Sequence, residues 1–344
     1  MQSNRTTTTA AINHQLSTVS RLFAWIFLSL ITFSFLNINV AFAGTRKVVA
    51  VTEIVEHLSL RQAKKGIIDV LQENGYEIGR NLEIIDKNAQ GSIANALLIA
   101  KQFVALAPDA IVAISTPSAQ SAVKAISGTD IPLVFSSVTD PIAAGLVDDL
   151  ASLEKNITGA MDFPLIDEEI KLIQKLVPYV KTIGFLYNAG EANSVKTIKI
   201  MKNAAKGRLE HIDSQVVGSS QVGQAMAALV GRVDAIYIPS DNTVFSAMPK
   251  LVQMSRKHKL PVFSSDPDSV RQGVLACIGY TQYEIGRTAG KLLVRILDGE
   301  RNIAIAKPES AQIFINQKSA DIMGINVPGE LLGIKTDIVG QEDE

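Results

Sequence analysis

Six short polar segments each follow a run of apolar, β-branched residues, and between them they hold most of the side chains able to do chemistry. In the first half of the chain they are Glu53-Ile54-Val55-Glu56-His57, Thr116-Pro117-Ser118-Ala119-Gln120 and Ser137-Val138-Thr139-Asp140-Pro141. In the second half they are Asn188-Ala189-Gly190-Glu191-Ala192-Asn193-Ser194, Ser240-Asp241-Asn242-Thr243 and Ser265-Asp266-Pro267-Asp268. The second segment reads as a helix start, with Thr116 as the cap and Pro117 in the first turn, where a missing N–H costs nothing. The next backbone N–H groups and the Ser118 hydroxyl then suit a carboxylate. A helix end contributes about 0.3–1 kcal/mol, up to about 2 when partly buried. Micromolar binding needs about −8 kcal/mol, so several charge-assisted hydrogen bonds of about 1.5–3 kcal/mol each must join it. Asp140, Glu191, Asp241, Asp266 and Asp268 offer the opposite pole, as acceptors for an ammonium. Asp241-Asn242 and Asp266-Pro267 also read as helix caps, so one or two of these acids are expected to touch a ligand.

Catalysis and metal binding find little support. Beyond residue 43 the histidines are His57, His211 and His258, without paired spacing, and Cys277 is the sole thiol. No zinc-ligand pattern, nucleophile elbow, phosphate-cradling loop or dinucleotide turn occurs. No catalytic residue, metal or cofactor is therefore expected. His57 is a candidate cleft contact because it follows the first strand. Cys277, inside Val274-Leu275-Ala276-Cys277-Ile278, reads as a small buried hydrophobe. With 33 basic and 34 acidic residues and no basic run, nucleic acid is not an expected partner.

The elements that position these residues follow from periodicity. Short β-branched runs alternate with segments of helical period, the pattern of βαβ units around a parallel sheet. Strands are predicted at Lys47–Thr52, Asn81–Lys87, Ala110–Ser115, Leu133–Ser136 and Thr182–Tyr187, with helices at Leu60–Asn74, Ile93–Ala105 and Ser118–Ile126. Runs such as Ala110–Ile114 are apolar throughout, as in strands covered on both faces. An internal repeat appears as well. Asp109–Ser115 aligns without a gap on Asp234–Ser240, Leu82-Glu83 and Ile85-Asp86 on Leu209-Glu210 and Ile212-Asp213, and Pro132 with Phe135-Ser136-Ser137 on Pro261 with Phe263-Ser264-Ser265. Matches in one order at nearly one offset predict two similar Rossmann-like α/β lobes with parallel sheets. The lobes are expected at 44–160 plus about 281–310, and 161–280 plus about 311–344, joined by about three hinge crossovers. In open parallel sheets ligands bind beyond the carboxyl ends of the strands, so the six segments are expected to face one another across a cleft.

Export is expected too. No acid precedes Glu53, Arg5 and Arg21 stand before an apolar stretch from Leu22 to Leu36, and Ala41-Phe42-Ala43 suits a signal peptidase. A membrane span needs about 20 apolar residues, more than this stretch offers. Residues 1–43 thus read as a cleaved signal peptide, and without a Cys at Gly44 a lipid anchor is not expected. A periplasmic location follows from export without an anchor.

The segments together resemble the ABC-transporter substrate-binding proteins of the tryptophan, phenylalanine and tyrosine type, with a type I periplasmic-binding-protein fold. The matching pieces are Thr-Glu-Ile-Val-Glu-His at 52–57, Asn-Ala-Gln-Gly at 88–91, Thr-Pro-Ser-Ala-Gln at 116–120 and Val-Thr-Asp-Pro at 138–141. Others are Gly-Glu-Ala-Asn-Ser at 190–194, Asp-Asn-Thr at 241–243, Ser-Asp at 265–266 and Gly-Tyr at 279–280. The resemblance implies a non-catalytic, monomeric receptor that passes an amino acid, with an aromatic one favoured, to an inner-membrane ABC permease. Its expected ligand-binding residues are Glu53, His57, Thr116, Ser118, Ala119, Ser137, Thr139, Asp140, Asn188, Glu191, Asn193, Ser194, Asp241, Asn242 and Asp266. A sensor for a membrane signalling protein and a receptor for another small polar solute remain open alternatives. The chain departs from the family pattern at Ala189, where proline is common, at Pro267, where threonine is, and at Thr281, where an acid is.

Overall fold

The computed structural model describes residues 46–150, 156–332 and 336–339; the signal segment read at 1–43 lies outside the described residues. The apolar runs become strands covered on both faces. The first sheet comprises β1 (Lys47–Glu53), β2 (Leu82–Asn88), β3 (Ala110–Ile114), β4 (Leu133–Val138) and β5 (Ile157–Met161). Its order is β2-β1-β3-β4-β5, and every pairing is parallel. The second sheet contains β6 (Thr182–Asn188), β7 (Glu210–Val216), β8 (Ala235–Ile238), β9 (Val262–Ser264) and β10 (Ala276–Gly279). These run β7-β6-β8-β9-β10, the same winding, with β8 where the sequence repeat aligns it on β3.

One expectation needs correction. The second sheet is not wholly parallel: β11 (Gln312–Asn316) pairs antiparallel with β10, and β12 (Thr336–Val339) then pairs parallel with β11. A parallel neighbour requires a crossover within the sheet, whereas β11 enters from the other lobe.

The helices are α1 (Leu58–Glu73), α2 (Ile93–Leu106), α3 (Thr116–Ile126), α4 (Ile166–Leu176), α5 (Ala192–Ala205), α6 (Val222–Ala227), α7 (Asn242–Phe245), α8 (Met248–His258), α9 (Pro267–Gln272), α10 (Gln282–Leu297) and α11 (Gln317–Met323). Although α10 follows β10 of the second sheet, its buried face, from Ile285 to Leu297, belongs to the first core with Ile67, Leu71 and Phe135. The chain therefore passes between the lobes three times: after β5, between β10 and α10, and from Ala306 to β11. At the third crossing Ala306 pairs with the end of β5, its N–H donating to Gly159 O at 2.9 Å and its carbonyl accepting from Met161 N–H at 2.9 Å.

Helices α1 and α10 approach unusually closely. A Cβ at Gly286 would stand 2.0 Å from the carbonyl oxygen of Ala63, and one at Gly66 would stand 2.3 Å from that of Tyr283. Gly290, one turn beyond Gly286, faces Ile67 and Val70 in the same seam. Glycine is needed here for backbone approach, and the seam fixes the start of α10, which carries Gln282 into the cleft. Cys277 is buried in the second lobe's core.

Candidate functional site

The carboxyl-terminal tips of the two sheets meet around an interlobe cavity of about 20 Å³, space for a water-sized group. Lobe 1 contributes His57, Ser59, Leu60, Ser115, Thr116 and Ser137. Lobe 2 contributes Asn193, Ser240, Asn242, Phe245 and Asp266, and the crossings contribute Asp162 and Gln282. Larger hollows lie elsewhere, one of about 540 Å³ beside Glu53, Lys64 and Asp86 and one of about 650 Å³ along α10 and the third crossing. Neither gathers strand tips from both sheets.

The lobe 1 wall is built on a strained turn. Ser115 has φ 84° and ψ 155°, a region open essentially to glycine that costs other residues about 1–3 kcal/mol. Such strain collects where a backbone must be aimed. Here the expected cap is corrected: Ser115, not Thr116, occupies the cap, because β3 ends at Ile114 and Thr116 is already helical. Pro117 still falls in the first turn. The Thr116 hydroxyl is buried with no hydrogen-bond partner, beside a helix end whose first N–H groups lack intrahelical acceptors. This wall carries donors and no acid.

The opposite wall is acidic. Asp162 accepts from Gln282 Nε2 at 3.0 Å and from Ser240 Oγ at 3.2 Å, and Gln282 Oε1 in turn accepts from Ser137 Oγ at 2.6 Å. These bonds link lobe 1, two crossings and lobe 2 around the cavity. Asp266 caps α9, accepting from Asp268 N–H at 3.1 Å, and also takes the Ser59 hydroxyl from across the cleft. His57 Nε2 lies 3.3 Å from Asn242 Oδ1, a second polar contact between the lobes. Asp140 reaches Lys196 at 3.0 Å, a third.

Five buried acids, Asp162, Glu169, Asp241, Asp266 and Asp268, are held above the ordinary carboxylate range, with burial the main cause; Asp162 is pushed to about 6 and Glu169 to about 8. An acid raised by folding takes up a proton on folding, so its cost to stability is present above the folded value and is relieved as pH falls through it. His57 acts in the opposite sense: burial pushes it down to about 4, so stability is lost as pH falls below about 6.5, where the unfolded imidazole charges. Five groups against one decide the sign. Melting temperature should rise as pH falls from 8 to 5, measured by calorimetry on the ligand-free protein; a fall over that window would mean that these acids are not desolvated.

Of the side chains expected at the site, His57, Thr116, Ser137, Asn193, Asn242 and Asp266 line the cavity. Others hold its loops. Glu191 Oε1 accepts from Thr243 N and Oγ1 at 2.9 and 2.8 Å, and Oε2 accepts from Asn242 N and Nδ2 at 3.1 and 2.6 Å and Asn193 Nδ2 at 3.1 Å. Asp241 takes Asn188 N–H at 2.7 Å, the Ser194 hydroxyl at 2.6 Å and Val244 N–H at 2.9 Å. Asn188 closes its turn by accepting from Gly190 N–H at 2.8 Å, which a proline at 189 is not needed to do. Thr281 likewise caps α10 through Glu284 N–H at 3.3 Å. Ser118, Ala119 and Thr139 are buried outside the cavity lining, with Ser118 Oγ accepting from Ser115 Oγ at 3.4 Å. Glu53 points to the outer hollow, meeting Lys64 at 3.1 Å and Asn88 at 2.9 Å. The expected ligand-binding set missed Ser59, Leu60, Ser115, Asp162, Ser240, Phe245 and Gln282, although Ser240 does open one of the six polar segments. For Asp162 and Gln282 the available signal was position: each stands at a point where the chain changes lobe.

Two like-wound sheets whose strand tips enclose one cavity, donors on one side and acids on the other, define a two-lobed solute receptor of the type I periplasmic-binding-protein fold. Comparison with known proteins agrees. The chain belongs to the family described as ABC transporter substrate binding protein, whose model matches residues 48–339. It is 38% identical over 275 residues to the tyrosine-binding protein of Clostridioides difficile (strain R20291), covering 79% of each chain. Among solved structures, it matches an ABC domain from Streptococcus pneumoniae in complex with L-Trp with a TM-score of 0.79 and 33% identity, over 84% of this chain and 98% of that one. It matches the ligand-free, open structure of a substrate binding protein with adhesive properties from Clostridium difficile with a TM-score of 0.63, also at 33% identity, over 86% of this chain and 100% of that one. At equal identity the better superposition is on the Trp complex, in keeping with the narrow cleft. Among the described residues no helix is long and apolar enough to cross a membrane.

Proposed function

We propose that this receptor binds a free amino acid, with an aromatic side chain favoured, and delivers it to an ABC permease of the inner membrane from the periplasm, without chemical change. The observation that carries this reading is the split of the cavity into poles. A carboxylate meets the strained helix start at Ser115 and Thr116; an ammonium meets Asp162 and Asp266. Leu60, His57 and Phe245 remain for the side chain. The lobes, 44–160 plus about 281–310 and 161–280 plus about 311–344, would move as bodies, because about 20 Å³ admits no amino acid until they part. The relatives named for tyrosine and solved with L-Trp support an aromatic ligand.

The test uses a property of the sequence. Trp25 is the sole tryptophan, so a chain beginning at Gly44 carries no indole, and added tryptophan is the only indole emitter. A shift of its fluorescence, or a thermal gain with at least one aromatic amino acid, is expected; at a hundredfold excess over Kd the gain is about 2.7 kcal/mol. No response to any of the twenty amino acids would retire the assignment.

A further inference from the structure

His57 forms part of the lobe 1 wall, is 7% exposed, and stands edge-on to Phe245 of lobe 2 with ring centres 5.7 Å apart. Its contact with Asn242 has a fixed polarity, and the reason lies one residue further on. Glu191 Oε2 receives the Asn242 side-chain nitrogen at 2.6 Å. A carboxylate accepts, so the Asn242 carbonyl is the end turned to His57, 3.3 Å from Nε2. A carbonyl accepts as well, and Nε2 must therefore carry the hydrogen. Burial holds the ring neutral, and a neutral imidazole has one N–H. Nδ1 is thus a bare acceptor, and it is buried with no hydrogen-bond partner.

An acceptor so placed calls for a donor. We propose that His57 is a specificity-determining residue whose Nδ1 accepts a hydrogen bond from an N–H or O–H group on the side chain of an aromatic ligand, packed against Leu60 and Phe245. The inference rests on the amino-acid reading above and narrows it: an indole or a phenol satisfies Nδ1, and a phenyl ring leaves it unpaired. Sites with a buried polar group rejecting ligands that lack the matching one discriminate far better than sites that sort by apolar bulk. The chain Glu191, Asn242, His57 then acts as a tautomer relay, in which a loop strut of lobe 2 sets the hydrogen-bonding character of a wall in lobe 1.

Calorimetric titration with tryptophan, tyrosine and phenylalanine tests this in the unaltered protein, so the result stands even if a variant fails to fold. Tryptophan or tyrosine should bind about 10- to 100-fold more tightly than phenylalanine, and whichever of the two shows the larger gap identifies the donor. His57→Phe keeps the aromatic edge contact but removes both the Nδ1 acceptor and the Nε2 contact to Asn242 across the lobes, so it should weaken all three ligands by a shared factor and the donor ligand by a further factor of about 10 or more, closing its gap to phenylalanine. Phenylalanine binding as tightly as the other two would overturn the proposal while sparing the amino-acid reading. Weakening of all three by the same factor, with the gap to phenylalanine unchanged, would also overturn it, because His57 would then act only through its contact with Asn242 across the lobes. Binding of none of the three would overturn the proposal and the preference for an aromatic ligand, and the amino-acid reading would stand or fall on the remaining amino acids.

Discussion

Replacing Asp266 by Asn should weaken amino-acid binding on the order of 100-fold or more while raising the melting temperature of the ligand-free protein. The two effects have one cause. Asp266 is buried among Ser59, Asp268 and Asp162, and burial followed by the Asp268 charge pushes its carboxyl well above the usual range. Among the described residues no Lys or Arg lines this cavity. A buried acid without a cation costs the fold free energy, and an ammonium supplied by the ligand is what converts that cost into affinity. Truncating one partner of a buried charge pair at a binding site costs about 2–5 kcal/mol. Asn keeps the N-cap, since Asn and Asp cap about equally well, so α9 should survive the change. Calorimetric titration at pH 7.5 with a thermal scan of the same samples gives both readings. A higher melting temperature with unchanged affinity would place the ammonium elsewhere.

Much of this arrangement was legible in the sequence, and the boundary between what was and was not is physical. Strands covered on both faces, such as Ala110–Ile114, announce themselves by composition, and the repeat of Asp109–Ser115 in Asp234–Ser240 foretold the common winding. Glu191 and Asp241 were rightly seen as polar residues at strand tips. Nothing in their spacing told that five donors would converge on Glu191, a sum of contacts from two loops. Ser115 was read as strand because its strain is a backbone property that its hydroxyl does not reveal. Asp162 and Gln282 escaped for a different reason: a site between lobes draws on the crossings, and crossings have no periodicity. The antiparallel β11 was hidden likewise, because strand direction there depends on which lobe the chain has just left.

The seam between α1 and α10 yields the largest stability effect expected of a small change. In Gly286→Ala the added methyl would sit 2.0 Å from the Ala63 carbonyl oxygen and 2.7 Å from its carbon. Both are backbone atoms, so no rotamer change relieves the clash and the helices must part. Alanine would otherwise favour this position by about 0.8–1 kcal/mol over glycine in a helix, which makes the sign a sharp test. Overpacking costs about 1–3 kcal/mol and occasionally more, and a rigid backbone contact belongs at the upper end; a net loss of about 2–3 kcal/mol is expected by chemical denaturation. The displacement should also reach the site, because α10 begins at Gln282, which bonds to Ser137 and Asp162 at the cavity wall. Affinity should therefore fall together with stability, whereas Lys291→Ala, on the exposed side of the same helix, should change neither. A stabilised Gly286→Ala protein would show that the two backbones do not approach so closely, and with that the geometry holding Gln282 in the cleft would lose its support.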